Sequence, residues 1–253
     1  MKTFDPAIKT DSHLQKFLSG QSFSNFEKFR FNKKSYIPKR IDLLESLLVN
    51  KSILHFGCCD HENLIEEKVA NNSHLQEKLA KISKICIGID NNKAGIEKLK
   101  KLNIENCYYY DLFESNIEEI ENQLYDYVLL GEILEHIADP VAFLSMIRLK
   151  FKNSKNLIIT VPNALSSKNI YNIKKGIEEI NTDHKYWFTP YTLAKVITEA
   201  GFKFESLYFV DRSKITIFDK IIKWFYYFRK LDAFASRKWK IHKSVGLVAI
   251  AKF

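Results

Sequence analysis

The sequence predicts an α/β domain organised on a doubly wound parallel sheet, on two observations. From Lys51 onward, short apolar runs rich in β-branched and aromatic residues ("SILHF", "KICIGID", "NCYYYD", "YDYVLLGE", "NLIITVPN") alternate with stretches whose apolar residues recur at three and four. The runs are apolar nearly throughout, as expected of strands buried on both faces with helices between them.

In chain order, residues 1–50 lack strand patterns and contain one helix candidate, "IPKRIDLLESLL". They are expected to form an N-terminal helical cap on a domain spanning 51–253. The helical stretches between the strands are "NLIEEKVANNSHLQEKLAKI", "NKAGIEKLKKL", "NIEEIENQL" and "PVAFLSMIRLKF". After "TVPN" a polar stretch leads to "WFTPYTLAKVITEAGF", a helix with Thr189 as N-cap, Pro190 at its first position and Gly201 as its stop. Two final strand-like runs, "FKFESLYFV" and "SVGLVAIAKF", bracket a basic aromatic insertion at 212–243.

Length and composition bound the rest. At 253 residues and 46% apolar content the chain is long enough to bury a substantial core. The N-terminus has no apolar stretch of signal-peptide length, and no run reaches the roughly 18 apolar residues of a membrane span. A cytoplasmic protein is expected. Of the four cysteines, Cys58 and Cys59 are adjacent, a poor geometry for a mutual bridge. With His61 they suggest a metal site, but zinc pairs are normally spaced as CxxC, so packing is the preferred reading and no metal is expected. The formal charge of +9 concentrates in 212–243, where ten Lys/Arg face two Asp.

Ligands of open parallel sheets bind beyond the carboxyl ends of the strands. Those ends carry Phe56-Gly57-Cys58-Cys59-Asp60-His61 after the first strand, Asp90-Asn91 after the second, Asp111-Leu112 after the third and Gly131-Glu132 after the fourth. A carboxylate ending the second strand suits a ribose, whose two hydroxyls it can accept; the competing reading is a cap for the next helix. Asp111 suits an adenine amino group or, equally, a turn in "DLFES".

In their order, "ILHFGC", "CIGID", "YYYDLFE", "YDYVLLGEILEHIADP", "LIITVPN" and "HKYWFTPYTLAKVITEAGF" resemble the class I S-adenosylmethionine-dependent methyltransferases, over roughly residues 51–211. The branch most resembled reads "GEVLEHVxDP" at the fourth strand and "HxxxFTxxxLxxLLxxAGF" later. The resemblance implies a Rossmann-like seven-stranded sheet, with an antiparallel last strand between the fifth and sixth. It implies S-adenosylmethionine as cofactor, with S-adenosylhomocysteine as product. Phe56, Gly57, Cys58, Asp60 and His61 would surround the methionine moiety, Asp90 with Asn91 the ribose, Asp111 and Leu112 the adenine, and Gly131 with Glu132 the sulfonium.

A dinucleotide loop needs several glycines to bring its backbone against a pyrophosphate. S-adenosylmethionine has no phosphate, so Gly57 beside two small cysteines suffices, with the nearby helix N-terminus favouring the methionine carboxylate.

Methyl transfer from a sulfonium needs alignment and, for a hydroxyl acceptor, a base. His184 in "NTDHKYWFTP" is the first candidate. His136, one helical turn after Glu132, is the second, with orientation of Glu132 as its alternative role. Trp187 and Phe188 suit an acceptor platform or an anchor for the following helix. The position after the fourth strand lacks the Asn/Asp-Pro-Pro-aromatic pattern of amino-directed enzymes, and no Pro-Cys motif marks cytosine chemistry. The expected activity is O-methylation of a saccharide or other small hydroxylated acceptor. The alternatives are a noncatalytic binding or scaffold protein on this fold and an RNA methyltransferase.

In 212–243, Phe218, Ile221, Ile222, Phe225, Phe228 and Leu231 fall at helical spacing, flanked by Lys220, Lys223, Arg229 and Lys230. An amphipathic helix is expected there, serving as a lid, a homodimer surface, or a peripheral contact with the inner face of a membrane. Nucleic acid ranks lower.

Overall fold

In the computed structural model the described residues are 3–32, 35–37, 39–211 and 244–253, so the amphipathic helix expected within 212–243 lies outside them. One mixed sheet organises the chain. Its strands are β1 (Ile8–Lys9), β2 (Tyr36–Ile37), β3 (Ser52–Phe56), β4 (Ile85–Asp90), β5 (Cys107–Tyr109), β6 (Tyr127–Gly131), β7 (Asn156–Pro162), β8 (Lys203–Val210) and β9 (Gly246–Lys252).

The central order is β8-β9-β7-β6-β3-β4-β5. β9 runs antiparallel to both β7 and β8, while β3 to β7 pair in parallel. This is the expected seven-stranded arrangement, with the last strand between the fifth and sixth. The order reverses around β3, which has β6 on one side and β4 on the other, and a crevice opens at such a reversal.

Strand alternation divides the core into two layers. In β6, Val128 and Leu130 enter one apolar cluster while Leu129 enters the other; in β7, Leu157 and Ile159 go one way and Ile158 the opposite way. All six side chains are fully buried, each contributing about 1.5–3 kcal/mol.

Nine α-helices flank the sheet among the described residues: α1 (Ser12–Leu18), α2 (Arg40–Leu48), α3 (Glu62–Ala70), α4 (Leu75–Ile82), α5 (Lys93–Lys101), α6 (Glu118–Glu121), α7 (Pro140–Lys150), α8 (Ser167–Lys174) and α9 (Pro190–Glu199). α9 begins as its sequence dictates. Thr189 accepts from the N–H of Thr192 in a reciprocal capping box, Pro190 takes the first position, and Gly201 follows at φ +88°.

One open reading is resolved and one expectation changes. The stretch 63–82, readable as a longer or an additional helix, forms two helices, because the chain turns at Asn71-Asn72, with Asn72 at φ 49°, a conformation asparagine tolerates. The N-terminal fifty residues contain two short strands as well as α1 and α2. β1 pairs antiparallel with β8 through Ile8 and Leu207, and β2 pairs parallel with it through Tyr36 and Phe209. α1 is anchored from outside: the Lys195 ammonium of α9 donates to the carbonyls of Phe17 (3.2 Å) and Leu18 (2.9 Å) at its C-terminal end.

One buried polar group lies at the centre of the sheet. His55 of β3 is 1% exposed and its Nδ1 lies 2.8 Å from the Gln76 Oε1 of α4. An amide oxygen only accepts, so Nδ1 carries the proton of a neutral ring. Burial lowers the His55 pKa to about 4, the Gln76 contact opposing that shift. The unfolded chain binds a proton near pH 6.5 that the native state refuses, so stability is full above pH 6.5 and falls between 6.5 and about 4. The loss from this group is roughly 3 kcal/mol over that window. Urea midpoints measured from pH 7 to 4 should fall accordingly, and His55→Gln should flatten the fall.

Candidate active site

A cleft of about 1110 Å³ opens at the carboxyl ends of β3, β4 and β6. Its walls include Phe56, Gly57, Cys58, Asp60, His61, Asp90, Asn91, Leu112, Gly131, Glu132, His136 and His184, so most of the candidate residues converge on one space.

The loop after β3 is built by backbone hydrogen bonds around a single glycine. The N–H groups of Gly57 and Cys58 donate to the Ile89 carbonyl at 2.9 and 3.3 Å, and the Cys59 N–H donates to Asp90 Oδ2 at 2.9 Å. Gly57 is the residue that permits this. It sits at φ +71°, and a Cβ there would lie 2.6 Å from Ile133 Cδ1.

Cys58 packs with Ile65, Ile96, Leu99 and Cys107 in a small buried cluster. Its thiol pKa is raised by the contacts with Cys107 and Cys59 and by burial, which suits packing more than ligation. Its Sγ, with that of Cys59 and an Asp90 oxygen, nevertheless forms one close group of donor atoms. His61, which the sequence sets beside the two cysteines, is not in that group.

Asp90 lines the cleft with both carboxylate oxygens engaged by backbone donors. One oxygen accepts from Cys59 N–H and the other from Asn92 N–H at 3.0 Å, leaving further lone pairs on each for hydroxyl donors. The helix cap is Asn92, whose side chain accepts from Gly95 N–H, so the capping role belongs two residues further on. Desolvation raises the Asp90 pKa against the lowering effect of these backbone donors.

Asp60 turns toward protein partners: it pairs with Lys68 of α3 and lies 3.8 Å from His74 Nε2. Asp111 Oδ1 accepts from the N–H groups of Phe113 (2.9 Å) and Glu114 (3.2 Å), the turn-capping alternative named for it, and it is not among the cleft-lining residues. Leu112 and Tyr110 line that side instead. Phe188 is buried in the core, the anchoring alternative as far as that residue goes, while Trp187 is half-buried.

The segment after β6 departs from the helical reading. Glu132 sits at φ 58°, and only Leu134–His136 form a short 3-10 turn, so Glu132 and His136 are not one α-helical turn apart. The Glu132 carboxylate accepts from Arg40 Nη1 at 2.7 Å and from Thr160 Oγ1 at 3.0 Å. Arg40 therefore reaches from α2 into the cleft wall. The 3-10 turn also turns Glu135 inward to 1% exposure.

His136 and His184 meet edge to face, with ring centroids 4.7 Å apart, and one ligand atom from each lies within 4.8 Å of the other and of a Glu135 oxygen. Sequence reasoning named both histidines separately and missed Glu135 and Arg40. The available signal was "EILEH" itself, a second carboxylate within an apolar motif; Arg40 carried none, because it starts an amphipathic helix at a charged position.

A family model described as "Methyltransferase domain" matches residues 26–207. Among solved structures, magnesium protoporphyrin IX methyltransferase from Synechocystis PCC 6803, with bound SAH, is similar at 13% identity and a TM-score of 0.50, covering 83% of this chain and 77% of its own. A methyltransferase from Thermotoga maritima, described as a possible histamine N-methyltransferase, is similar at 12% identity and a TM-score of 0.52, covering 84% and 86%. At such identities the likeness is one of fold. No curated protein sequence matches the chain.

Proposed function

The chain belongs to the class I S-adenosylmethionine-dependent methyltransferases, and from that premise we propose that it methylates a hydroxyl of a saccharide or of another small hydroxylated acceptor. The observation that carries this reading is the polar lining of the cleft. Glu132, His136, Asn181, His184 and Lys185 line the same cleft as Gly57 and Asp90. Such a lining offers hydrogen-bond donors and acceptors to a hydroxyl-rich molecule.

In this reading Asp90 takes the ribose, and Tyr110 and Leu112 flank the adenine. The N-terminal end of α3, whose first N–H groups favour an anion, would hold the methionine carboxylate, and Gly131 and Glu132 would border the sulfonium. His136 and His184 would orient the acceptor hydroxyl and take its proton. Cofactor binding supplies an activated methyl, so the protein's part is alignment and removal of that proton.

Transfer of labelled methyl from S-adenosylmethionine to a panel of free and nucleotide-activated sugars, amines and RNA tests the proposal. An O-methyl product on a saccharide is expected, with His184→Ala lowering kcat by roughly a hundredfold or more at unchanged cofactor affinity. Methylation of nitrogen or RNA alone would overturn it.

A further inference from the structure

We propose that Glu135, His136 and His184 form a site for a divalent transition-metal ion, with its open coordination positions turned to the acceptor. The site rests on geometry: a carboxylate oxygen and two imidazole nitrogens, one from each residue, all lie within 4.8 Å of one another. All three residues line the cleft.

The donors come from two segments distant in sequence, and the backbone clamps those segments together. The N–H groups of Lys185 and Tyr186 donate to the Glu135 carbonyl at 2.7 and 3.2 Å. Lys185 Nζ donates to the His136 carbonyl at 2.8 Å, and the Tyr186 hydroxyl donates to the Ala138 carbonyl at 2.7 Å. Four hydrogen bonds thus fix residue 184 against residues 135 and 136.

The imidazoles are set for ligation. His136 Nδ1 lies 3.2 Å from the Asp183 carbonyl. A carbonyl oxygen only accepts, so Nδ1 carries the proton and the lone pair is on Nε2. This backbone partner fixes the tautomer and ring orientation, as the outer-shell partners of metal-bound histidines do. The edge-to-face contact of the two rings, at an interplanar angle of 87°, keeps them from stacking flat.

Two imidazoles and one carboxylate select the ion. This donor set suits Mn²⁺, Fe²⁺, Co²⁺ or Zn²⁺, whereas Ca²⁺ and Mg²⁺ prefer oxygen ligands. Three protein ligands leave positions for water or for acceptor oxygens.

The role assigned to the ion rests on the hydroxyl-acceptor reading above. A hydroxyl on such an ion ionises near neutral pH far more readily than a free one. Its proton passes to solvent water, and the oxygen forms the new bond to the methyl carbon. The S–CH3 bond breaks with its electron pair left on sulfur, giving the neutral thioether of S-adenosylhomocysteine. His184, expected from the sequence as the base, then acts as a ligand, and the ion takes over the task of acidifying the acceptor.

The test uses the full chain after chelator treatment, titrated with MnCl2 and CoCl2 by calorimetry and absorption spectroscopy. One equivalent should bind, and His184→Ala and His136→Ala should each weaken it by more than roughly a hundredfold while S-adenosylmethionine still binds. Glu135→Gln should weaken it too; if that buried substitution disturbs folding, the two histidine variants decide. The Co²⁺ complex should lack thiolate-to-metal charge transfer. Thiolate bands would place the ion at Cys58 and Cys59 and overturn the site, as would no binding by protein that still binds cofactor, or saccharide methylation unaffected by chelation. Ion binding lost in His184→Ala, with no saccharide methylated, would uphold the site and refute the acceptor reading instead.

Discussion

Asp90→Asn is expected to weaken S-adenosylmethionine binding by about a hundredfold or more, since each of two hydrogen bonds to a charged group contributes roughly 1.5–3 kcal/mol. The fold should not suffer equally. Burial raises the Asp90 pKa, and a carboxylate whose native pKa lies above its unfolded value stabilises the fold only below that unfolded value. The contribution is lost as pH rises through the native pKa, so above that pKa the ionised group is a cost to the cofactor-free protein. Calorimetry and thermal melts should therefore diverge: affinity collapses while the unfolding temperature without cofactor stays level or rises. The same raised pKa gives a second signature. In the wild type, affinity should fall with acid beginning at a higher pH than an ordinary aspartate would give. A variant losing affinity and stability in step would show that Asp90 is only a structural cap.

Gly57→Ala is expected to act on both fold and binding. The left-handed conformation at φ +71° costs an alanine about 1–2 kcal/mol, and the contact with Ile133 Cδ1 at 2.6 Å adds roughly 1–3 kcal/mol unless that side chain moves. The Gly57→Ala/Ile133→Ala pair separates the two. Room restored at position 133 should recover the overpacking part relative to Ile133→Ala alone and leave the backbone part. Full recovery in urea denaturation would mean that φ strain plays no role at this turn.

Much of the fold was legible because each buried strand announces itself locally. "NLIITVP" is apolar on both faces for the same reason that β7 lies between β6 and β9. The caps of α9 were readable because Thr189, Pro190 and Gly201 act within a few residues of their own positions. The segments left open or misread are those where a local pattern meets a tertiary constraint. The helical periodicity of 63–82 continues across Asn71-Asn72, which leaves one helix or two open, and the chain turns there. Of the cofactor candidates read from strand ends alone, all but Asp111 line the cleft. Glu135 was not legible, because its neighbour His184 lies 49 positions along the chain and the 3-10 turn that sets the two together is not legible in "EILEH". Arg40 was invisible for a different reason, since its partner Glu132 lies 92 positions along the chain.

The two short N-terminal strands bear on how copies of this chain coexist in solution. β8 is the last long strand on its side of the sheet, and β1 and β2 occupy its outer hydrogen-bonding edge along Ser206–Val210. At the opposite margin β5 is three residues long. Unprotected edges recruit strands from other molecules, and short or covered ones do not. Removing residues 1–37 would leave the Phe209 and Val210 backbone open to intermolecular pairing, and the truncated chain should self-associate where the full chain remains dispersed.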